Sequence, residues 1–558
     1  MPGAGTRQVI AVASALTLLG ATLALLLYTE NDSSKLDLAI AVTAAIGCFV
    51  VLLSRRLLFA SVLTSLLIAS TFLLSLAKQS LMGMALHSYD VIFYLNASTL
   101  DFLWSDYRQY VIGAFFGLAV GGLLAVQAWR FDATRCSRAV SALALCAAMA
   151  ATTWLAPVAG ARRGAFDMFD NSHAFVSSFY LSWSETFDTL ARGEFMEAAA
   201  RANMPNFGSA AKCAPSAKPP HIILIHQESL MPPSIFPTLE YDRSVDPFFL
   251  SDDHLLHKLQ VETYGGGSWI TEFALLAGVS TKAFGNMGAF VQVFMEDKLK
   301  ETLPQALANC GYRTMVLFPM DNGFLSLDRF YKSIGFTEVL DRKAQGAATA
   351  RERDSFYFQN ALNALERHVK SSERPMFIYI ETMAAHGPYN FTFMPEETVP
   401  GGGPGMPGEM NEFLRRLAMA VRDGDAFLDA IERRFSDEPI LVVRYGDHQP
   451  SATQPFLAPW EEIARMSASE ARPSPFTTFY AIRGENYAVP TLPDYELLDV
   501  AYLGTVILEA ARLPLSNAAQ ERKRLMAACG GMYFDCKRHD EILAFHRRLI
   551  NSGVINAR

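Results

Sequence analysis

The sequence has 558 residues, 51% of them hydrophobic, and a formal net charge of −8. This length predicts more than one domain, and the acidic balance, without a Lys/Arg-rich stripe, argues against a nucleic-acid-binding protein. The apolar residues are concentrated in roughly the first 160 positions, and the remainder has the composition of a soluble domain large enough for a sizeable core.

Five apolar runs in the first part each contain enough uncharged residues to cross a hydrocarbon layer of about 30 Å. They cover residues 8–28, 37–54, 57–77, 109–129 and 139–156. Arginines precede the first run and occupy the loops after the second and fourth, namely Arg7, Arg55, Arg56, Arg130, Arg135 and Arg138. Because cytoplasmic loops carry the excess of basic residues, the N-terminus is predicted to be cytoplasmic. We therefore predict a five-helix transmembrane domain over 1–160, with the rest of the chain on the other side of the membrane.

Residues 161–219 are interpreted as a juxtamembrane connector and hinge. Its stretch from Phe175 to Met196 mixes apolar and charged residues, which fits either an amphipathic helix on the membrane surface or a linker helix packed on the soluble domain. If the soluble part is periplasmic, Cys529 and Cys536 are close enough in sequence to form a disulfide.

From residue 220 to 558 the pattern predicts a single α/β domain. Short apolar strand candidates alternate with helical stretches such as 295–309, 353–372 and 409–434. The candidates are His221–His226, Tyr312–Phe318, Met376–Ile380, Ile440–Tyr445 and Phe476–Ile482. Near-continuous apolar strands separated by helices indicate a buried, mostly parallel sheet sandwiched by helices.

Polar residues follow three of these strands where each one ends. Glu228 follows the first, His386 lies just past the third, and Asp447–His448 follow the fourth. Ligands bind at the carboxyl ends of the strands in such sheets. Carboxylate and imidazole groups suit one divalent ion such as Mn²⁺, Zn²⁺ or Mg²⁺. His226, from the same loop as Glu228, is interpreted as a residue that supports the metal ligands without binding the ion, or as a structural residue.

A glycine-rich segment supplies a hydroxyl group. Three glycines precede Ser268, and a helical pattern containing Thr271 follows. Glycines allow the backbone to approach a ligand closely, and a helix N-terminus favours an anion. A hydroxyl held there beside a metal loses its proton easily and becomes a nucleophile toward phosphorus.

These motifs and the membrane runs together resemble lipoteichoic acid synthases and the related phosphoglycerol and phosphoethanolamine transferases, within the alkaline phosphatase/sulfatase superfamily. The resemblance covers roughly 220–515 and 1–160. It implies an α-helical membrane bundle followed by an alkaline phosphatase/sulfatase-like α/β domain, in the bacterial inner membrane with the catalytic domain periplasmic. It also implies one divalent metal held by Glu228, the hydroxyl residue, Asp447 and His448, and a substrate-binding role for His386 in its HGPY segment.

The family nucleophile is usually Thr. Counting back from the Glu272–Phe273 pair shared with the synthases places it at Ser268, whereas Thr271, three residues on, keeps the usual residue type and remains the alternative. The family's substrate-binding arginine before a Tyr-Lys pair has its nearest counterpart in Arg329, which is displaced relative to Tyr331–Lys332.

The resemblance implies a transferase that moves a phosphoglycerol- or phosphoethanolamine-type group from a membrane phospholipid donor to an envelope glycan or lipid acceptor. Sulfate-ester hydrolysis is disfavoured because the sequence has no CxPxR-type motif that matures to formylglycine. Two alternatives remain. One is a phosphodiester hydrolase, and the other is a catalytically inactive domain that binds or senses envelope glycans.

Overall fold

The computed structural model describes residues 4–30, 32–160, 174–192, 195–198, 204–208, 213–214, 218–349, 351–403, 405–459 and 474–556. The chain divides into two compact units, Met1–Gly193 and Glu194–Arg558. Residues 161–173 of the predicted connector lie outside the described residues.

The first unit is built from helices. They are α1 (Ala4–Thr29), α2 (Ser33–Ser54), α3 (Leu57–Met82), α4 (Ser88–Phe93), α5 (Ala97–Asp106), α6 (Arg108–Phe131), α7 (Arg138–Gly160) and α8 (Phe175–Arg192). Five of the described helices, α1, α2, α3, α6 and α7, are long and apolar enough to cross a membrane. Each contains one of the predicted apolar runs, so the prediction of five apolar helices in this part of the chain is confirmed.

Helix α8 packs on this bundle. The buried Glu30, at the end of α1, accepts hydrogen bonds from the backbone N–H groups of Val176 and Ser177 at 2.9 and 3.3 Å. The ring of Phe175 meets that of Phe72 edge to face. A carboxylate at a helix N-terminus satisfies N–H groups that have no partner within the helix. Helix α8 therefore belongs to the first unit.

The second unit contains one eight-stranded sheet. Its strands are β1 (His221–Gln227), β2 (His257–Gln260), β3 (Arg313–Leu317), β4 (Glu338–Leu340), β5 (Met376–Glu381), β6 (Ile440–Gly446), β7 (Thr477–Glu485) and β8 (Leu498–Asp499). Their order is β4-β3-β5-β1-β6-β7-β2-β8, and all neighbouring strands are parallel except for the pairs that β7 makes with β6 and β2. The predicted mostly parallel sheet is confirmed, and β2, β4 and β8 are additional short strands.

Helices cover the sheet. They are α9 (Ser268–Ala277), α10 (Val291–Phe294), α11 (Leu303–Asn309), α12 (Leu327–Ser333), α13 (Asp354–Val369), α14 (Gly408–Arg434), α15 (Val500–Ala510), α16 (Asn517–Ala528) and α17 (His539–Asn551). Ile223 and Ile225 of β1 pack with α13 and α14 in one buried cluster. Because side chains alternate along a strand, His226 points to the other face of the sheet.

The predicted helix over 295–309 is helical only in its second half. Asp297 and Glu301 have positive φ angles of 59° and 61°, which an α-helix does not accommodate. Helix α11 begins at Leu303 because Thr302 and Gln305 form a capping box. Leu299, upstream of the cap, instead bridges to Ile555 as a short strand contact.

Two disulfides lie in the second unit. The predicted pair, Cys529–Cys536, is confirmed. A second bond joins Cys213, in the predicted connector, to Cys310 at the end of α11. This pair is separated by 97 residues, so sequence proximity gave no indication of it.

Candidate active site

Two neighbouring strands bring the predicted acidic residues together. Strands β1 and β6 pair in parallel with Gln227 opposite Gly446, so the next residues, Glu228 and Asp447, leave the sheet side by side. Ser229 adopts a left-handed conformation, with φ 58°. This turn lets its N–H donate to Asp447 Oδ1 at 2.8 Å. The local fold thus fixes both carboxylates at the carboxyl edge of the sheet.

His448 and Ser268 complete a compact set of donor atoms. His448 Nε2 lies 3.4 Å from Glu228 Oε1, 3.3 Å from Asp447 Oδ2 and 3.4 Å from Ser268 Oγ. Ser268 Oγ donates to Glu228 Oε2 at 2.9 Å. Ligand atoms around a tetrahedral ion with bonds of about 2.0–2.1 Å are themselves about 3.3 Å apart. Asp447 Oδ2 is buried and accepts no hydrogen bond from the described residues, so the four residues fit a small divalent ion.

A glycine turn places Ser268 at the first position of α9. Gly265, Gly266 and Gly267 have φ angles of 69°, 156° and 81°, in the region that favours glycine. The N–H of Gly265 donates to the carbonyl of Gln449 at 2.9 Å, which ties the turn to the loop after β6. No side chain caps the helix. Its first N–H groups therefore lie beside Ser268 with the polarity that favours an anion.

Thr271 occupies a different environment. It is fully buried, and its Oγ1 donates to the backbone carbonyl of Asp447 at 2.7 Å. Its hydroxyl therefore supports the loop that carries Asp447, whereas the Ser268 hydroxyl contacts the carboxylate of Glu228 directly. Of the two predicted candidates for the nucleophile, the structure brings Ser268 into the cluster.

His226, predicted from the sequence to support the metal ligands or to be structural, lies beside the carboxylates. Its Nε2 is 3.1 Å from Asp447 Oδ2 and 3.8 Å from Glu228 Oε2, and its Nδ1 is 2.9 Å from Tyr379 Oη. Donor atoms of His226, Glu228 and Asp447 all lie within 4.8 Å of one another. Nε2 of His448 is closer to Glu228 than Nε2 of His226 is, at 3.4 Å against 3.8 Å. His226, held by Tyr379, is placed to orient Asp447.

The cluster stabilises positive charge. Burial lowers the pKa of both histidines, but the charge of Asp447 and the other nearby acidic groups outweigh it and raise each pKa to about 9. Burial raises the pKa of Glu228, but the adjacent histidines outweigh it and hold the pKa well below its usual value. The buried carboxylates therefore keep both histidines protonated when no metal is bound. A metal ion supplies positive charge in the same place, so it can replace these protons when it binds.

His386 lies near this cluster, in the turn after β5. Its charge is among the causes that lower the pKa of Glu228. Arg351, from the loop before α13, places one guanidinium nitrogen (Nη2) 3.3 Å from His386 Nδ1 and 2.6 Å from the carbonyl of Gly387. No motif surrounds Arg351, so it could not be recognised as a site residue from the sequence.

The structure does not bring Arg329 into this group. Its guanidinium lies 3.5 Å from Glu296 and 3.1 Å from the hydroxyl of Ser326, and its side chain is 48% exposed. Among the contacts of the described residues, none joins Arg329 to Glu228, Ser268 or His386. Arg329 is the third residue of α12, whose buried residues are Leu327, Phe330 and Tyr331.

Known proteins resemble parts of this chain in sequence and in structure. The family profile for sulfatases matches residues 239–491. A Haemophilus influenzae protein, described as uncharacterized, is 26% identical over 325 residues, which cover 56% of this chain and 54% of that protein. A putative cyclic beta-1,2-glucan modification protein of Rhizobium meliloti is 23% identical over 235 residues, covering 41% of this chain and 36% of that protein. The solved structure of the Streptococcus pyogenes phosphoglycerol transferase GacH with sn-glycerol-1-phosphate superposes with a TM-score of 0.48 at 17% identity, covering 68% of this chain and 93% of that one.

The chain spans about half, or less, of the length of the curated relatives it matches. The profile match covers the segment from the first loop after β1 to just past β7, and thus includes Ser268, His386, Asp447 and His448. Residues 239–491, within the second unit, are therefore similar to sulfatases.

Proposed function

We propose that this chain is a membrane-anchored phosphotransferase that uses Ser268 as its nucleophile. In this proposal a phosphoglycerol- or phosphoethanolamine-type group moves from a phospholipid to Ser268 and then to an envelope glycan or lipid. One observation carries the proposal. The Ser268 hydroxyl lies at a helix N-terminus, within 2.9 Å of a buried carboxylate and 3.4 Å of a histidine nitrogen.

The first step forms a bond between Ser268 Oγ and the phosphorus of the donor. The bond from phosphorus to the diacylglycerol oxygen breaks, and that oxygen takes up a proton. The proton of Ser268 Oγ has an acceptor in place, since it is already donated to Glu228 Oε2. In the second step a hydroxyl oxygen of the acceptor attacks the same phosphorus, the Oγ–P bond breaks, and Ser268 regains its proton.

Glu228, Ser268, Asp447 and His448 would hold a divalent ion, whose charge would favour the deprotonated form of the Ser268 hydroxyl. The chain's own contribution is to fix the attacking oxygen. Helix α9 and the glycine turn hold Ser268, and Thr271 ties the helix to the carbonyl of Asp447. The N-terminus of α9, with its positive dipole end, favours the negative charge that develops on the phosphoryl oxygens.

A membrane donor accords with the five apolar helices of the first unit. We propose that these helices lie in a bacterial inner membrane and that the sulfatase domain lies outside the cytoplasm. The arginine bias of the loops supports this orientation. The two disulfides support it as well, because disulfides persist in oxidising compartments such as the periplasm. The glycan acceptor is in keeping with the name of the R. meliloti relative, a putative cyclic beta-1,2-glucan modification protein.

The test uses the full chain in detergent, loaded with Mn²⁺, Zn²⁺ or Mg²⁺. It is incubated with vesicles of phosphatidylglycerol or phosphatidylethanolamine, and diacylglycerol release and the intact protein mass are recorded. We expect release from one donor together with a mass increase on the chain, and loss of both in Ser268→Ala. Ser229→Ala is the matched control, because it removes another hydroxyl that donates to Glu228, at 2.8 Å. This control should slow the reaction without abolishing the adduct.

Other outcomes would replace the proposal. Release of the free head group with no adduct in any variant would indicate hydrolysis by water. Stoichiometric metal binding with no release from either lipid would favour a domain that binds envelope glycans without catalysis.

A further inference from the structure

His226 directs a buried ring nitrogen at the active-site cluster. It lies near the carboxyl end of β1, a strand that pairs with β5 on one side and with β6 on the other, so its backbone is held firmly. Its side chain is 2% exposed. Nδ1 lies 2.9 Å from Tyr379 Oη, which in turn lies 2.8 Å from Tyr445 Oη. The two tyrosines fix the ring with Nε2 toward the carboxylates, an arrangement typical of histidines that bind metals.

The Nε2 atom of His226 makes no hydrogen bond with any residue that the structure describes. It lies 3.1 Å from Asp447 Oδ2, and that oxygen likewise makes none within the described ranges. The two buried atoms therefore lie side by side rather than as donor and acceptor. Orientation of Asp447 alone leaves both atoms unsatisfied, which is costly in a buried site. An ion bound by both atoms would satisfy them together.

The distances around His226 Nε2 are those of atoms that bind one ion. Ligand atoms with metal bonds of about 2.0–2.2 Å lie about 3.0–3.6 Å apart when they are adjacent and about 4.2 Å apart when they are opposite. His226 Nε2 lies 3.1 Å from Asp447 Oδ2 and 3.8 Å from Glu228 Oε2. The contacts of Ser268 and His448 with the cluster range from 2.9 to 3.4 Å. The nitrogen of His226 thus lies in the same shell as the other four groups.

We infer that His226 binds the metal ion directly and thereby makes the site selective for Zn²⁺ over Mg²⁺. The inference rests on the metal site of the proposed function, but not on which group is transferred. The family resemblance accounts for the other four ligands, Glu228, Ser268, Asp447 and His448, and not for His226. Two imidazole nitrogens beside three oxygen ligands suit Zn²⁺, whereas Mg²⁺ prefers oxygen ligands in octahedral geometry.

The test counts the imidazole ligands without lipid or turnover. The full chain in detergent is stripped of metal, loaded with one equivalent of Zn²⁺, and measured by X-ray absorption at the zinc edge. We expect scattering from two imidazole rings in the parent and from one in His226→Gln and in His448→Gln. Tyr379→Phe removes only the hydroxyl that holds the ring and should keep both. His257→Gln and His386→Gln, the matched controls, should keep both as well. Thermal denaturation identifies a variant that does not fold. If His226→Gln does not, two rings in His386→Gln and one in His448→Gln assign the second ring to His226 by elimination.

Metal selectivity gives a second measurement. Competition titrations of the same chains should show that His226→Gln weakens Zn²⁺ binding by about 100-fold or more, because a nitrogen ligand is lost. Mg²⁺ binding should change by less than about tenfold, because the oxygen ligands remain. A residue that only orients Asp447 would instead weaken the binding of both ions by a similar factor.

A single imidazole ring in the parent would overturn the inference, as would two rings that persist in His226→Gln, equal losses of Zn²⁺ and Mg²⁺ affinity, or no Zn²⁺ binding by the parent. The proposed function fails separately, if the zinc-loaded chain forms no adduct and releases no diacylglycerol. Two imidazole rings in such a chain would leave His226 as a ligand in a site without transfer. An adduct on a chain whose ion has one imidazole ring would leave the function and remove this inference.

Discussion

Metal binding at the cluster of Glu228, Asp447 and His448 should release protons, so its affinity should rise steeply with pH. Burial lowers the pKa of His448 in the metal-free chain, but Asp447 and Glu228 outweigh it and raise the pKa to about 9. At pH 7 about 1% of molecules then offer the unprotonated nitrogen that a metal needs. The apparent association constant should therefore rise about tenfold per pH unit between about pH 6.5 and 8.5.

The slope of the logarithm of metal affinity against pH equals the number of protons released when the metal binds. Glu228 contributes none, since its pKa lies well below its usual value. Release from His448 alone gives a slope of about one in the logarithm of affinity against pH. The pKa of His226 is also raised to about 9, so a slope near two would mean that a second proton, from His226 or from the Ser268 hydroxyl, is released as well. Calorimetric titration of the metal-stripped full chain with Mn²⁺, in buffers of different ionisation enthalpy, measures both the slope and the protons released.

The control for this experiment is His257→Gln, because His257 pairs with Asp253 at 3.0 Å and contacts none of the cluster residues. It should leave the slope unchanged, and His448→Gln should weaken binding and flatten the slope.

The same protons stabilise the metal-free fold. Because the pKa of His448 is raised in the folded chain, its protonation stabilises the fold below about pH 6.5, and this stabilisation is lost as the pH rises through about 9. An affinity that changes by less than about twofold between pH 6.5 and 8.5 would refute the reasoning.

Three further predictions follow from the fold. Thr271→Val should lower the free energy of unfolding by about 1–3 kcal/mol, because the buried carbonyl of Asp447 loses its donor, and the lipid-derived adduct should still form. Chemical denaturation measures the stability and intact mass detects the adduct. A lost adduct with unchanged stability would contradict this role of Thr271. Peptide mapping without reduction should recover Cys213 linked to Cys310 from membrane-isolated protein, and free thiols there would argue against an extracytoplasmic domain. A reporter fused after residue 558 should be active only outside the cytoplasm, and cytoplasmic activity would reverse the proposed topology.

The membrane helices and the longer strands could be predicted because their apolar residues form long, regular patterns. Short strands carry too little pattern. Strand β2 (His257–Gln260) has four residues and β8 (Leu498–Asp499) has two, and they are defined only by their pairing with each other and, for β2, with β7. The helix predicted over 295–309 was wrong in its first half because left-handed residues interrupt it, a feature that hydrophobic periodicity does not reveal.

The site was predictable where a residue directly follows a strand. Glu228, Asp447 and His448 are of this kind, since parallel strands end at a common edge. His226 could have been added from strand alternation, because a residue two before Glu228 faces the same side of the sheet. Arg351 could not, since its place depends on how the loop before α13 packs against the turn after β5. Arg329 resembled the family pattern in sequence, but its helix turns it toward Glu296.

The central claim, covalent transfer through Ser268, is tested most directly by locating the adduct. The full chain is mixed with phosphatidylglycerol or phosphatidylethanolamine vesicles in the presence of Mn²⁺, quenched in acid before acceptor is added, digested, and mapped by mass spectrometry. We expect the head-group phosphoryl modification on the peptide that contains Ser268, assigned by fragmentation to that residue and absent from Ser268→Ala. A modification on Thr271, or diacylglycerol release with no modified residue, would contradict the account.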